Sequence, residues 1–557
     1  MSEKRQNVYQ LAITALSPLH IGTGQDLEPT GYVIDGEDLY RFSPEAALRA
    51  LPAAAREELT RILSAGPTVE LIKQVQAFFH RNSEALIAEA EQAMPVLPSI
   101  AQEYRDRVGK TAQQEQDRDI INQLQIARTY TDESTGRPIL PGSSLKGAIR
   151  TALLDIENDG RSLPADIAAL PPHKRNRPLQ EKLFRYRKFD LDPMRLVQVG
   201  DARDRTAPDT YATEVRYAVN RNREAVFKDG RELTAQAERL RQVLECVPPL
   251  RPQGFTGLLG VQNVDDVSSP KLPDPKLRWT FEDIAAACNH FYRPILKREI
   301  QELGNRGYLS KHWGVAILQM LRAKQPEMDA GQAFLLRVGR HSGAESVTLN
   351  GVRHIKIMGA RGERPQFLDA AKTVWLAAGD IQQRTDMLPF GWVLVEAASM
   401  GQALPSWPQD LLDDFAPQTG THEQAWSQRV NARRNALREA AAERRASEQQ
   451  RAEEAVRAQQ QAEEQAARRA SLSEEQRKLE DLRDRLAQDK AAGRNEKGGE
   501  LANQLVALLA EAEQDWSGPV CDELADLAEA IYAFIGWPAK KKKQARKEQI
   551  AAIRAKA

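Results

Sequence analysis

The strongest constraint on this chain is the stretch from Glu423 to Arg469, which is mostly Ala, Glu, Gln and Arg. Such a composition favours helix but offers no regular Leu/Ile heptad seam. The segment therefore reads as a long, solvated single helix, supported by i,i+4 pairs such as Glu453/Arg457 and Glu464/Arg468 at about 0.3 kcal/mol each. It separates two differently patterned regions. Behind it, Ser471-Leu-Ser-Glu-Glu-Gln476 carries overlapping capping boxes, and Leu472, Leu479, Leu482 and Leu486 follow on one stripe, so a new helix with an apolar face starts there. Gly493 to Gly499 breaks it. Leu501 to Trp537 then gives two short amphipathic helices around Asp515-Trp-Ser-Gly-Pro519, a small helical hairpin, and Lys540 to Lys543 opens a basic tail.

Ahead of the charged stretch the patterning is mixed. Val8, Gln10, Ala12 and Thr14 alternate with Tyr9, Leu11, Ile13 and Ala15, which predicts an opening strand ended by Ser17-Pro18. Asp35-Gly36 between Tyr32-Val33-Ile34 and Leu39-Tyr40-Arg41-Phe42 predicts a hairpin. From Pro44 to about Arg128 the spacing turns helical, as at Leu59, Ile62 and Leu63, and predicts a helical insertion. From Pro138 to about Glu396 short β-rich runs alternate with helices; Phe334–Val338, 352–357 and Trp392–Val395 are among the strands. The class read from this is α+β, and 557 residues call for more than one folding unit.

Lys+Arg and Asp+Glu are both 78, so total charge gives no reason to expect a polyanion partner and any basic surface must be local. Cys246, Cys288 and Cys521 stand far apart with no CxxC spacing, which argues against a zinc site and for free thiols in a cytoplasmic protein. No apolar run approaches the ~20 residues that cross a bilayer, and no membrane role is expected. No GxxxxGK[ST] occurs, so no P-loop is expected, and no cofactor is implied.

The most informative segment is Ile139-Leu-Pro-Gly-Ser-Ser-Leu-Lys-Gly-Ala-Ile-Arg-Thr-Ala-Leu-Leu154. Pro141-Gly142 makes a turn, Ser143 or Ser144 can cap a helix, and Leu145, Ile149 and Leu153 stripe it. Its first-turn N–H groups suit a phosphate, with Lys146 and Arg150 as two cations on one face and Gly147 leaving room between them. An ordinary capped helix with two solvated cations fits the same residues.

This string resembles the IPGSSLKGxxR motif of the RAMP superfamily, and Leu16-Ser-Pro-Leu-His-Ile-Gly-Thr-Gly24 resembles its first-strand TPxHIGxG signature. Asp192-Pro-Met-Arg-Leu-Val-Gln-Val-Gly-Asp201, Glu245-Cys-Val-Pro-Pro249 and Met387-Leu-Pro-Phe-Gly-Trp-Val-Leu-Val395 resemble segments of subunit five of the type III-A (Csm) CRISPR interference complex. The resemblance covers roughly residues 8 to 396. It implies two ferredoxin-like (RRM-like) halves with helical insertions, residues 1–42 plus 129–250 and residues 251–410, interrupted by the insertion at 43–128. A charged helical linker, 411–470, and a helical module with its basic tail, 471–557, would follow. The role implied is that of a non-catalytic subunit in antiviral defence. It would cap the backbone filament at the guide RNA 3′ end, support guide maturation, and touch the backbone RAMP subunits and the small helical subunit.

Under this resemblance the RNA-facing residues are His20, Gly22 and Gly24 of the first motif, Ser143, Ser144, Lys146, Gly147 and Arg150 of the second, and Arg337, Gly339, Arg340 and Gly343. The last four belong to Phe334-Leu-Leu-Arg-Val-Gly-Arg-His-Ser-Gly343, which is similar to a Gly-rich loop of the superfamily; an ordinary β-turn explains it equally. His173-Lys-Arg-Asn-Arg177, Lys182, Arg185-Tyr-Arg-Lys188 and Phe189 interleave cations with aromatics, in the manner of a single-strand binding surface or of a solvated loop. His20 and Asp26, the latter near Glu28 and Asp35, are the candidates for an alternative reading as a target- or precursor-cutting endoribonuclease. A third reading makes the chain a docking scaffold that recruits a partner through its C-terminal part.

Overall fold

The opening alternation becomes the strand Gln6–Ala15, and its last five residues are buried on both faces. In the computed structural model this strand has partners on either side: Phe255–Gln262 with Ile13 opposite Phe255, and Trp392–Ser399 with Ile13 opposite Val395. The structure describes residues 6–64, 66, 69–110, 113–115, 118–120, 124–207, 210–234, 241–264, 269–358, 364–415 and 420–557. The chain divides into two compact units, Met1–Ala441 and Ala442–Ala557.

The first unit is α+β. One seven-stranded antiparallel sheet runs Ala333–Arg337, Trp392–Ser399, Gln6–Ala15, Phe255–Gln262, Ala202–Asp204, Ile139–Leu140, with Val197–Val199 also on Phe255–Gln262. A six-stranded sheet runs Gly22–Leu27, Ile126–Thr129, Arg241–Cys246, Glu214–Asn222, Thr373–Ala378, Leu388–Pro389. The pairing that sets Leu244 opposite Ala127 is parallel. Both sheets draw strands from each side of residue 250. The helices Gly142–Asn158 and Phe281–Asn305 pack together and share one core with the first sheet, from Leu145 and Ile149 to Phe291, Tyr292 and Trp392.

The Asp35-Gly36 hairpin is present, with Gly36 at φ 62° in its turn. The insertion after it is helical, Pro44–Ala50, Ala53–Leu63, Val69–Arg81, Ser83–Ala88 and Pro98–Arg107, but it also returns a strand, Gln92–Pro95, to the hairpin's edge at Asp38–Arg41. One expectation needs correction here. The helix Gly420–Ser471 is not solvated from its start: Trp426, Val430 and Leu437 are buried against Phe42, Phe78 and Ile87 of the insertion. The Trp426 indole N–H donates to Asp38 at 2.7 Å, and Arg429 pairs with the same carboxylate. Spacings of four and seven put those three apolar residues on one stripe, which an Ala/Glu/Gln/Arg average hides.

The second unit is a helical bundle of Glu474–Ala491, Glu500–Asp515, Pro519–Ile535 and Lys540–Arg554 around Leu479, Leu505, Leu509, Leu524 and Ile531. Lys540–Lys543 does not open a tail. It begins a helix, because Ile550 and Ile553, three apart, complete the core. No described helix is long and apolar enough to cross a membrane.

Candidate nucleic-acid interface

After Pro18 the chain bridges Leu19 to Val247 and sinks His20 completely. Its Nδ1 lies 2.7 Å from the Glu245 carbonyl oxygen, an acceptor, so Nδ1 carries the proton and Nε2 is left with its lone pair. Nε2 is buried with no hydrogen-bond partner among the described residues. Burial, aided by the Arg340 charge, pushes the His20 pKa down against the pull of its backbone hydrogen bond, and the ring is neutral. The Glu245 carboxylate is buried beside it, accepting from Thr129 N at 3.2 Å and Thr213 Oγ1 at 3.0 Å, and burial raises its pKa.

The 337–343 loop docks on the same histidine. Arg340 N donates to the His20 carbonyl at 2.8 Å, and Gly339, at φ 83°, lies where a Cβ would run into that oxygen. Only glycine fits both conditions. The Arg340 side chain is exposed with no ion pair among the described residues. His341 stacks on Trp375 with centroids 4.5 Å apart and meets Gln242 Oε1 at 3.0 Å; burial lowers its pKa to about 3. Gly22, Gly24 and Asp26 are exposed on the adjoining strand. Among the described residues no three His, Cys, Asp or Glu side chains gather in a metal-holding group. Glu28 accepts from Gln125, and Asp35 pairs with Arg433.

The second motif forms a separate cluster. Its helix begins at Gly142 with Pro141 as N-cap, so Ser143 and Ser144 lie inside the first turn and neither caps it. Asp201 takes the capping role from across the sheet, its Oδ1 accepting from Gly142 N at 2.7 Å. A Cβ at Gly142 would collide with the Val199 carbonyl, so the glycine sets this close approach. Arg150 is not a solvated cation: it pairs with Asp192 at 2.8 Å, donates to Gln180 and Tyr186, and lies over the Phe184 ring at 5.0 Å. Lys146 is half-buried with no hydrogen bond or ion pair among the described residues, and burial lowers its pKa. Gly147 is exposed and faces open space.

Arg337 lies away from any surface. It is 2% exposed, pairs with Glu299 at 2.9 Å, donates to the Phe390 carbonyl and stacks under Trp392, while Gly343 packs on its guanidinium. Alternation along Phe334–Val338 could not reveal this, because every residue of that strand is buried on both faces.

An open groove of about 590 Å³ runs beside the Arg150 cluster, lined by His173, Lys174, Asn176, Arg177, Gln180 and Tyr186. Phe189, 76% exposed, follows it in sequence. Arg175 is turned inward to the Ala168 and Leu170 carbonyls, whereas His173, Lys174, Arg187 and Lys188 are exposed.

Residues 12–249 match the family model of the RAMP superfamily. The match is a similarity of this segment, under half of the chain, to that superfamily. A chain in a cryo-EM structure of a Csm–crRNA–target RNA ternary complex from a type III-A CRISPR-Cas system is 17% identical, with 70% of this chain and 100% of that one covered and a TM-score of 0.42. The crystal structure of T. onnurineus Csm5 is 17% identical, covering 69% and 99%, with a TM-score of 0.38. No curated protein matches the chain. The matched segment holds His20, Lys146, Arg150, Asp192 and Glu245; the 337–343 loop lies beyond it. Sequence reasoning quoted Asp192, Asp201 and Glu245 as motif letters without giving them a task. For Asp192 and Glu245 the signal was chemical, since each is a single carboxylate between apolar neighbours that needs a donor once buried, whereas the exposed Asp201 carried none.

Proposed function

We propose that the first unit holds guide RNA in a type III CRISPR interference ribonucleoprotein, as a non-catalytic subunit of the kind that ends the backbone filament. The observation that carries this is the RAMP match over residues 12–249, whose two motifs stand as folded clusters with exposed glycines and, in the second, a half-buried lysine without an ion pair among the described residues. Gly22, Gly24 and Gly147 leave backbone accessible, and Lys146, Arg340, Lys174 and Arg187 supply charge for phosphates, with Tyr186 and Phe189 as ring surfaces. On this reading Arg150 and Asp192 position the groove wall, and Ser143 and Ser144 present first-turn hydroxyls to the RNA. Two ferredoxin-like halves are the fold proposed for the scaffold. The partners are guide RNA, backbone RAMP subunits and the small helical subunit, in a cytoplasmic assembly.

One placement supports a non-catalytic role. His20 spends Nδ1 on a backbone carbonyl and keeps Nε2 out of solvent. The test is purification of the tagged chain from its host with sequencing of the RNA it carries. Short CRISPR-derived RNAs and other RAMP subunits are expected; their absence would overturn the proposal. In vitro, K146Q/R340Q should weaken RNA binding several-fold and reduce the slope of log affinity against log salt by about 1 to 1.5. Cleavage of labelled RNA that is lost in His20→Ala or Asp26→Asn would replace the proposal with the endoribonuclease reading.

A further inference from the structure

The bundle of the second unit has one end unlike the rest. The connection Lys490–Gly499 carries Lys490, Arg494 and Lys497 against a single carboxylate, Glu496, and the stretch Phe534–Lys547 carries Lys540–Lys543, Arg546 and Lys547 against none. These two segments meet in the fold. Lys497 lies over Gly536, where a Cβ would touch its Cε, and the Lys490 ammonium sits 6.0 Å from the Phe534 ring. Lys543 and Lys547 are held 5.7 and 5.5 Å from the Trp537 ring, itself stacked on Tyr532. A groove of about 760 Å³ opens there, with Lys497, Lys542 and Arg546 on its wall and Glu513 and Glu548 also lining it. Among the described residues Lys497, Lys540–Lys543 and Lys547 form no ion pair.

Helix energetics make the placement unusual. The bundle's other helices carry acid in the first turn, Glu474 and Glu475, Glu500, and Asp522, where the dipole favours it. The helix Lys540–Arg554 has four lysines there and no acid, so its charges oppose its own dipole until an anion arrives. The bundle surface around them shows no exposed large hydrophobic side chain among the described residues, as a protein-docking face would need at its centre.

From this cluster we infer that the C-terminal bundle is a second, separate site for single-stranded nucleic acid, gripping the phosphodiester backbone through the lysines around Trp537. The site does not depend on the reading of the first unit. The test uses the full chain and ~30-nucleotide single-stranded RNA and DNA of one sequence, titrated over a range of salt, with K540Q/K541Q/K542Q/K547Q as the variant. The variant should bind about tenfold more weakly near 0.1 M salt, and its salt slope should fall by about 2 to 3, at ~0.7 per lost phosphate contact. Ultraviolet crosslinks should map to residues 490–499 and 534–547, and should persist in K146Q/R340Q. Equal binding of both strands assigns recognition to phosphate alone, and preference for RNA adds the 2′-hydroxyl; either supports the site. The exchanged lysines are exposed, and Lys540–Lys542 oppose the helix dipole, so loss of binding is not read as loss of fold. Unchanged affinity and slope, crosslinks confined to residues 1–441, or a preference for an acidic peptide over both strands would overturn it.

Discussion

The two units treat charge in opposite ways. The first buries it in pairs: Lys324 and Glu396 meet at 2.9 Å with both side chains fully enclosed, closed off by the Ser406 carbonyl and the Trp407 indole N–H. Arg337 and Glu299 do the same beneath Trp392, whose indole N–H donates to Glu299 at 2.7 Å. The second unit has an apolar core and leaves its ion pairs outside, as in Arg483–Glu523 with both partners half-exposed; Asp489 is its one buried charged side chain among the described residues. A buried pair contributes little net stability but fixes geometry, whereas an exposed pair does little of either. The first unit therefore spends its internal charge on holding sheets and loops in register, and the second keeps its charge available to solvent.

The sharpest way to break this contrast is Glu299→Ala. It leaves Arg337 buried without a counter-charge and the Trp392 N–H without an acceptor, and should cost the first unit about 3 to 5 kcal/mol. Hydrogen exchange followed peptide by peptide reads each unit separately. Arg483→Ala should change the second unit by less than about 1 kcal/mol. A cost under about 1 kcal/mol for Glu299→Ala would erase the distinction.

Acid should separate the units next. His341 is held neutral down to about pH 3 and His20 is also depressed, while no histidine follows His422. In the unfolded chain both titrate near 6.5. Stability from these residues is thus complete above pH 6.5 and is lost as pH falls below it, for His341 down to about 3 and by up to about 1.4 kcal/mol per pH unit. Glu245 works in the opposite sense: its raised pKa lets the folded unit bind a proton more readily than the unfolded chain, so this contribution grows as pH falls toward the ordinary carboxylate range. The first unit's exchange protection should fall between pH 7 and 5, the second's should stay level, and His341→Gln should flatten part of the fall.

What could be read in the sequence follows how local its cause is. The Asp35-Gly36 hairpin, the opening strand and the Ser473 cap each rest on residues within a few positions, and all three stand in the structure. The pairing of Arg150 with Asp192, the capping of Gly142 by Asp201 and the enclosure of Arg337 by Glu299 join residues from 38 to 59 positions apart. Periodicity carries no trace of such partners, so cations were assigned to a surface that their carboxylates had already claimed. Lys146 and Arg340 read as cations, and among the described residues neither pairs with a carboxylate.

The smallest effects test whether the contrast reaches the helix ends. Each unit has a reciprocal capping box, Thr280 with Asp283 in the first and Ser473 with Gln476 in the second. Thr280→Ala and Ser473→Ala should each cost about 1 kcal/mol, since a cap satisfies first-turn N–H groups whatever lies beneath the helix. The boxes differ in one respect, because Asp283 brings a negative charge to the positive end of its helix and Gln476 does not. Asp283→Asn should then lose a further 0.3 to 1 kcal/mol, roughly, at low ionic strength and almost nothing at high salt, while Gln476→Asn should show no salt dependence. Equal salt dependence in both boxes would mean that charge at these ends is set by the surrounding surface and not by the cap.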